Sequence, residues 1–228
     1  MDLVPDDSVL DNPVLSSLEG FHSHLARRQG RALAFPADVA PFTALPLDAT
    51  AADWDDLGSL VGAGAQAWLA GDPRRAPDGW TSVARLDGVQ MVAATVDAQP
   101  DDEALVLGPD DVPDILDLVS RTRPGPFLPR TIEVGRYLGI RREGALVALA
   151  GERLRPPGFT EVSAVCTDPA VRGQGLAGRL VRAVVAGVEA RGDVAVLHAT
   201  ADNPAVGLYR TLGFVVRRAV TFEGFTAP

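Results

Sequence analysis

The sequence predicts an α+β fold in which helices flank a mixed, mostly antiparallel sheet. Three observations lead there. From Ala104 onward, short apolar strands and amphipathic helices follow one another in the order β-α-(α)-β-β-β-α-β-α-β. Two of the strands are joined by a tight Glu143-Gly144 turn, which makes a hairpin. One strand then ends in a glycine-bearing turn, Arg172 to Gly178, that opens a long helix.

Each element has a local reason. Asn12-Pro13 is a turn signal, and Val14 to Arg28 reads as a helix with Leu15, Leu18, Phe21 and Leu25 on one face. Arg31 to Pro46 is broken by prolines and holds short strand-like apolar runs. Asp48 to Ala70 reads as a second helix with Trp54, Leu57, Leu60, Val61 and Trp68 as its apolar members, weakened by Gly58, Gly62 and Gly64. Thr81–Leu86 and Gln90–Val96 read as a hairpin about Asp87-Gly88-Val89, because Asp-Gly reaches positive φ cheaply. The acidic stretch Asp97 to Glu103 reads as a linker, dividing an N-terminal α/β region (residues 1–100) from a second domain (residues 101–228).

Beyond the linker come a short strand at Ala104–Leu107 and a helix at Val112–Ser120. Strands follow at Arg136–Arg141, Ala145–Arg153 and Thr160–Cys166. The helix after the glycine turn runs to about Ala190, with Ala177, Leu180, Val181, Val184 and Val188 as its buried stripe and Arg179, Arg182 and Glu189 facing out. Arg191-Gly192 ends it, and Val194–Ala199 is a strand. Asn203 caps a short helix that has Pro204 at its first position; Gly213 stops that helix, and Phe214–Phe222 is the last strand.

Composition removes several function classes. All 21 basic residues are arginine, so no lysine is present for a Schiff base, a Walker-type phosphate clamp or a kinase-type ion pair. A lone cysteine, Cys166, excludes an internal disulfide framework. No apolar run approaches the roughly 20 residues of a membrane span, and the acidic start lacks the order of a signal peptide, so a cytoplasmic location is expected. Residues 1–118 carry 6 arginines against 21 acidic side chains, whereas residues 119–228 carry 15 against 9. The second half therefore suits an anionic ligand and the first a cationic one, while the net charge of -9 argues against nucleic acid as a partner.

The chemistry concentrates in Val162-Ser-Ala-Val-Cys-Thr-Asp-Pro-Ala-Val-Arg-Gly-Gln-Gly-Leu-Ala-Gly178. Glycines at 173 and 175 let a ligand touch the backbone, and the amides of residues 173–178 would face the space before the helix. Together with the helix dipole they make a pyrophosphate site. Gly173-x-Gly175-x-x-Gly178 matches the dinucleotide fingerprint in form. Thr167 to Arg172 intervene between strand and turn, however, and no acidic residue ends the next strand, which reads His198-Ala199-Thr200.

Arg172-x-x-Gly175-x-Ala177 resembles the CoA-pyrophosphate motif of the GNAT acyltransferases. Asn203, followed by a helix ending in Leu208-Tyr209-Arg-Thr-Leu-Gly213-Phe214, resembles that superfamily's second signature. Arg123-Pro-Gly-Pro-Phe127 and Gly151-Glu-Arg-Leu-Arg-Pro-Pro157 also look like a bacterial subgroup of it. The resemblance covers Glu103–Phe225; Met1–Pro100 matches weakly, and a degenerate acyltransferase-like half is one reading of it.

The resemblance implies a GNAT acyl-CoA N-acyltransferase fold and an N-acetyltransferase that uses acetyl-CoA as cosubstrate, with no metal. Its acceptor would be a small-molecule or peptide amine. The strand ending in Val165, Cys166 and Thr167 would splay from Val194–Ala199 and pair with the pantetheine arm. Arg172, Gly173, Gln174, Gly175, Leu176, Ala177 and Gly178 would hold the pyrophosphate. Asn203 would lie near the pantetheine arm, and Tyr209 would protonate the departing thiolate. Glu161, on the strand face of Ser163 and Val165, is the expected base, with Glu133 and Glu152 open. The first hundred residues are expected to pack against this domain, shaping the acceptor site or a homodimer contact.

Each of these residues also has a plainer reading. Tyr209 falls with Ala205, Leu208 and Leu212 at helical spacing, as a core aromatic would. Asn203 is a helix cap in any case, and Arg172 could be a solvated loop charge. Cys166 beside His198 invites an acyl-enzyme reading, and a buried inert thiol is its plainer one. His22-x-His24 lacks the companions of a zinc site. A non-catalytic acyl-CoA sensor or interaction module is the competing function, and a nucleotide-dependent oxidoreductase is the competing class.

Overall fold

The structure, a computed structural model, describes residues 6–228; Met1–Pro5, the start of the acidic N-terminal segment, lie outside the described residues. A single 3-10 turn at Asp7–Asp11 leads into helix α1 (Pro13–Glu19). The expected helix through Arg28 stops early, where the Gly20 amide closes on the carbonyls of Ser16 and Ser17. A 3-10 turn at Ser23–Leu25 follows, and then three short strands, β1 (Arg27–Gln29), β2 (Ala32–Ala34) and β3 (Thr43–Ala44), form a small antiparallel sheet.

Helix α2 (Ala51–Val61) begins with a cap in which Asp53 Oδ2 accepts from both the Thr50 amide, at 2.7 Å, and the Thr50 hydroxyl, at 2.8 Å. It ends nine residues before the sequence pattern suggests. Gly62 takes φ +96° and turns the chain out of the helix, as only glycine does without strain. Gln66–Gly71 is strand β4, so Trp68 belongs to a period-two pattern rather than to a helical stripe.

The expected hairpin at residues 81–96 is instead one continuous strand, β5 (Thr81–Ala93). Gly88 serves close packing at mid-strand: a Cβ there would lie 2.7 Å from the Phe222 ring and 2.8 Å from the Ala199 carbonyl oxygen.

The remaining elements match the expected order with small boundary changes: β6 (Leu105–Leu107), α3 (Val112–Thr122), β7 (Tyr137–Arg142), β8 (Ala145–Glu152) and β9 (Phe159–Thr167), then α4 (Leu176–Glu189), β10 (Val194–Thr200), α5 (Ala205–Leu212) and β11 (Phe214–Thr226). Eight strands form one sheet in the order β4-β11-β5-β10-β9-β8-β7-β6. Every neighbouring pair is antiparallel except β9–β10, which is parallel. The boundary expected at residue 100 thus falls within a sheet that takes β4 and β5 from one side of it and six strands from the other.

Helix α4 packs Leu176, Leu180, Val181, Val184 and Val188 against this sheet. Each such side chain contributes about 1.5–3 kcal/mol when fully buried, so the helix that carries the glycine turn is firmly seated. The acidic linker is tied down as well, since Arg179 donates to both oxygens of Asp101 at 2.7 and 2.8 Å and to Glu103 at 2.9 Å. Arg179 therefore pins the linker to α4 instead of standing free in solvent.

Candidate active site

A wedge between β9 and β10 sets the site. The two strands pair only from Phe159–Glu161 to Val194–Val196 and then part. The cause lies in β9, where Ala164 takes φ +54° and the ladder to β8 slips between Leu149↔Cys166 and Gly151↔Ser163. Three steps along β9 thus oppose two along β8, and such a bulge bends the strand away from its neighbour. Strand β10 stays with β5 as far as Thr200↔Gly88.

The wedge opens into a cavity of about 980 Å³. Its walls are the diverging strands, the glycine turn, helix α5 and the end of α3 at Thr122, Arg123 and Pro124.

The turn is built by short-range bonds. Asp168 Oδ1 accepts from the Ala170 amide at 2.9 Å, a 3-10 turn covers Pro169–Val171, and Arg172 Nε donates to the Thr167 carbonyl at 3.3 Å. Arg121 from α3 pairs with Asp168 and fixes the loop from the other side. Gly173 and Gly175 sit at φ +81° and +74°, and a Cβ on either would meet nothing within 4 Å. The protein does not crowd them. They are glycine to reach the left-handed region and to leave the wall bare. The amide of Arg179 is the one that bonds back to the Gly175 carbonyl, at 3.1 Å, so the first-turn amides before it lack helical partners and face the open side with the dipole behind them.

The structure brings most of the expected ligand-binding residues to this cavity. Val165, Cys166, Thr167, Arg172, Gly173, Gly175, Leu176, Ala177, Gly178 and Asn203 line it, as does Tyr209. Gln174 does not, because it stands at the outer apex of the turn, exposed. Ala177, expected in the buried stripe, forms part of the wall instead.

Asn203 Oδ1 accepts from the Ala205 amide at 2.9 Å, which caps α5 and leaves its amide nitrogen for the cavity. Tyr209 packs edge-on against Phe214, and burial, with Cys166 beside it, pushes its phenol up to about 12. Cys166 is buried and its thiol is pushed up to about 11, against weaker opposing effects from Thr122, Arg121 and Arg172. A thiol held protonated in this way is a poor nucleophile.

Glu161 is placed differently from expectation. The positive φ at Ala164 breaks the alternation that would align Glu161 with Val165, and Glu161 lies fully buried behind the wall. Arg153 Nε and Nη2 donate to its two oxygens at 2.9 and 2.6 Å, and His198 Nδ1 lies 2.7 Å from Oε1. Burial alone would raise this carboxyl; the charge of Arg153 and the hydrogen bonds from Arg153 and His198 outweigh it and hold Glu161 well below the usual carboxylate range. Glu133 is paired with Arg130 and Glu152 with Arg191, and neither lines the cavity.

Arg153 and Arg182 are wall residues that the sequence does not single out for the site, and His198 enters it there only as a neighbour of Cys166. Arg153 and His198 line the cavity from β8's end and from β10. Arg182, expected to face out, also lines it, and its Nε is buried without a hydrogen-bond partner among the described residues. A signal for Arg182 was available: it lies four positions after Gly178, hence on the same helix face. His22 belongs elsewhere, buried with Nε2 donating to the Val134 carbonyl at 2.7 Å. Among the described residues no three His, Cys, Asp or Glu side chains group as a metal site, and no helix is long and apolar enough to cross a membrane.

Comparison with known proteins gives four results. A model of the family described as FR47-like protein matches residues 137–222. A GNAT-family protein from Novosphingobium aromaticivorans has a crystal structure that superposes with a TM-score of 0.89 at 39% identity, covering 97% of this chain and 100% of that one. A GCN5-related N-acetyltransferase from Kribbella flavida shares the fold at 21% identity, with a TM-score of 0.61 over 96% of each chain. Among curated sequences, N-alpha-acetyltransferase RimI of Mycobacterium tuberculosis is 43% identical over 82 residues, which is 34% of this chain and 51% of that protein. The match therefore spans about half the length of that relative.

Proposed function

The chain belongs to the GNAT superfamily of N-acetyltransferases, and on that premise we propose that it transfers an acetyl group from acetyl-CoA to a peptide or small-molecule amine by direct attack of nitrogen on the thioester. The observation that carries this reading is the wedge between β9 and β10, which joins an open glycine turn at one end to Tyr209 in its wall. When bound, the donor supplies a thioester carbonyl as electrophile and a thiolate as leaving group.

The residues present fit such a donor. Bare amides at 173–178, a helix dipole and Arg172 suit a pyrophosphate, and an added side chain at Gly173 or Gly175 would fill the cradle. Where β9 and β10 part, backbone groups near Val165 are left to hold an extended amide-bearing arm and to polarise a carbonyl. Asn203 offers its amide nitrogen to the same arm. Tyr209, kept protonated by its burial, donates a hydrogen bond to sulfur as negative charge develops there. Cys166 is buried with its thiol pushed up, which favours direct attack over an acyl-enzyme route. Glu161 acts at one remove, by orienting His198 and Arg153.

Two measurements on the full chain test this reading. Thermal shift with CoA, acetyl-CoA and NADPH in parallel is expected to show a rise with the CoA ligands alone, equivalent to about 2.7 kcal/mol at a hundredfold excess over Kd. Thiol release from acetyl-CoA is expected to depend on added amine. Binding without amine-dependent release would favour a non-catalytic sensor, and a response to NADPH would favour a nucleotide-dependent enzyme.

A further inference from the structure

The cavity wall is cationic, and its one imidazole is fully committed. Among the described lining residues Arg123, Arg153, Arg172 and Arg182 supply charge, and no Asp or Glu is present. The hydrogen bonds about His198 can be assigned by elimination. Gln90 Nε2 lies 2.8 Å from the Leu10 carbonyl, which can only accept, and Gln90 Oε1 lies 2.8 Å from Arg217 Nη1, which can only donate. The amide orientation is therefore fixed. Its second N–H points to His198 Nε2 at 2.9 Å, so that ring nitrogen accepts. Nδ1 then carries the proton and donates to Glu161 Oε1 at 2.7 Å.

The surroundings hold this arrangement from every side. Arg153, following β8, grips Glu161 of β9 through two bonds. Arg217 of β11 is anchored by Asp7 and Asp11, and Phe222 of β11 sets its edge against the ring. Neither imidazole nitrogen has a lone pair left for an incoming ammonium, and Tyr209 and Cys166 both keep their own protons.

We infer that the acceptor reacts as an amine that enters already neutral, and that the site therefore selects weakly basic amines, such as α-amino groups and aromatic amines, over alkylammonium acceptors. The inference rests on the transferase reading above. The reaction balances without an added base: the C–N bond forms as the C–S bond breaks, and the proton shed by nitrogen ends on the departing sulfur. An ammonium would instead have to lose an extra proton among four arginines, with no carboxylate on the wall to receive it. At pH 7.5 an α-amine of pKa about 7.8 is roughly 250-fold richer in its neutral form than an alkyl amine of pKa about 10.4.

The test is kcat/KM for amine-dependent thiol release across pH, using alaninamide, 4-aminobenzoate, Nα-acetyl-lysinamide and spermidine. The α-amine is expected to exceed the ε-amine by roughly 100-fold or more at pH 7.5. The profiles of alaninamide, Nα-acetyl-lysinamide and spermidine should each bend at that amine's own pKa, and their rates recalculated per neutral amine should draw together, whereas 4-aminobenzoate, neutral throughout, should show no such bend. A common bend for all acceptors, set by the enzyme, would overturn the inference and leave the transferase reading standing, as would release with the strongly basic amines alone. Release with none of the four amines would overturn both. An independent readout is the 15N spectrum of the imidazoles at pH 8, where His198 is expected as the Nδ1-protonated tautomer. A His198 protonated at Nε2 would sink the argument whatever the rates.

Discussion

Replacing Tyr209 with Phe deletes one hydroxyl from the cavity wall and keeps the ring in its edge-on packing with Phe214, 6.1 Å between centroids. What the hydroxyl does can be sized from its surroundings. Burial pushes the phenol up to about 12, whereas a free thiol lies near 8.5. Full proton transfer from the phenol to a thiolate would run uphill by about 5 kcal/mol. A hydrogen bond to a charged acceptor contributes about 1.5–3 kcal/mol without moving the proton across. The smaller effect is the accessible one, so Tyr209→Phe is expected to lower kcat about 10- to 150-fold.

Donor affinity should change little, because the hydroxyl meets developing charge rather than the ground state. Stability should fall by less than about 1 kcal/mol, since among the described residues no side-chain hydrogen bond supports the phenol. The assay pairs steady-state thiol release with a thermal-shift titration of CoA. An unchanged kcat would reduce Tyr209 to packing. A loss beyond about 10⁴-fold would refute the hydrogen-bond arithmetic and require the proton itself to cross at the slow step.

Three further outcomes are expected. Gly175→Glu forces a side chain into φ +74°, at about 1–2 kcal/mol, and puts a carboxylate among the turn amides; the protein should fold while its CoA thermal shift disappears, and retained affinity would remove the phosphate role of the turn. Glu161→Gln leaves the Arg153 guanidinium buried without a counter-charge and should cost about 3–5 kcal/mol in urea unfolding at pH 7. Because the folded carboxyl is depressed, its contribution is complete above the unfolded value near 4.3 and is lost as pH falls below it, so the gap between wild type and variant should narrow from pH 5 to pH 3; a constant gap would contradict the pairing. Residues 101–228 expressed alone lack β5, the partner of both β10 and β11, and are expected to show neither cooperative unfolding nor CoA binding, whereas a folded, CoA-binding fragment would show that β5 is dispensable.

The parts of the site legible in sequence are those whose geometry is local. A turn that needs φ > 0 at Gly173 and Gly175, a helix with a 3.6-residue stripe behind it, and an asparagine cap two residues before Ala205 are each specified by neighbours in the chain. Where the deciding contact is distant, the local reading fails. Asp87-Gly88 has the composition of a turn, yet Gly88 is held extended by its ladders to Thr200 of β10 and Val220 of β11, with Phe222 and Ala199 packed where a side chain would stand. Trp68 falls at helical spacing from Trp54, but Gly62 ends the helix and β11 captures the segment as β4. Glu161 reads as a free carboxylate until Arg153 and His198 are brought to it, and no spacing in the chain announces that three-way contact.

The wedge itself depends on a strand from before residue 100. Closing β10 back onto β9 would restore backbone hydrogen bonds, so an open wedge needs a reason to persist. One reason is the bulge at Ala164, which bends β9 away. The other is β5, whose ladder with β10 from Val196↔Val92 to Thr200↔Gly88 satisfies the far edge of that strand and fixes its direction. The same β5 carries Gln90, whose amide is oriented by Leu10 and Arg217 and in turn sets the proton on His198. Among the described residues none before Thr122 lines the cavity, and the N-terminal ones reach its chemistry indirectly: they hold one strand of the wedge in place and determine which nitrogen of its imidazole bears hydrogen.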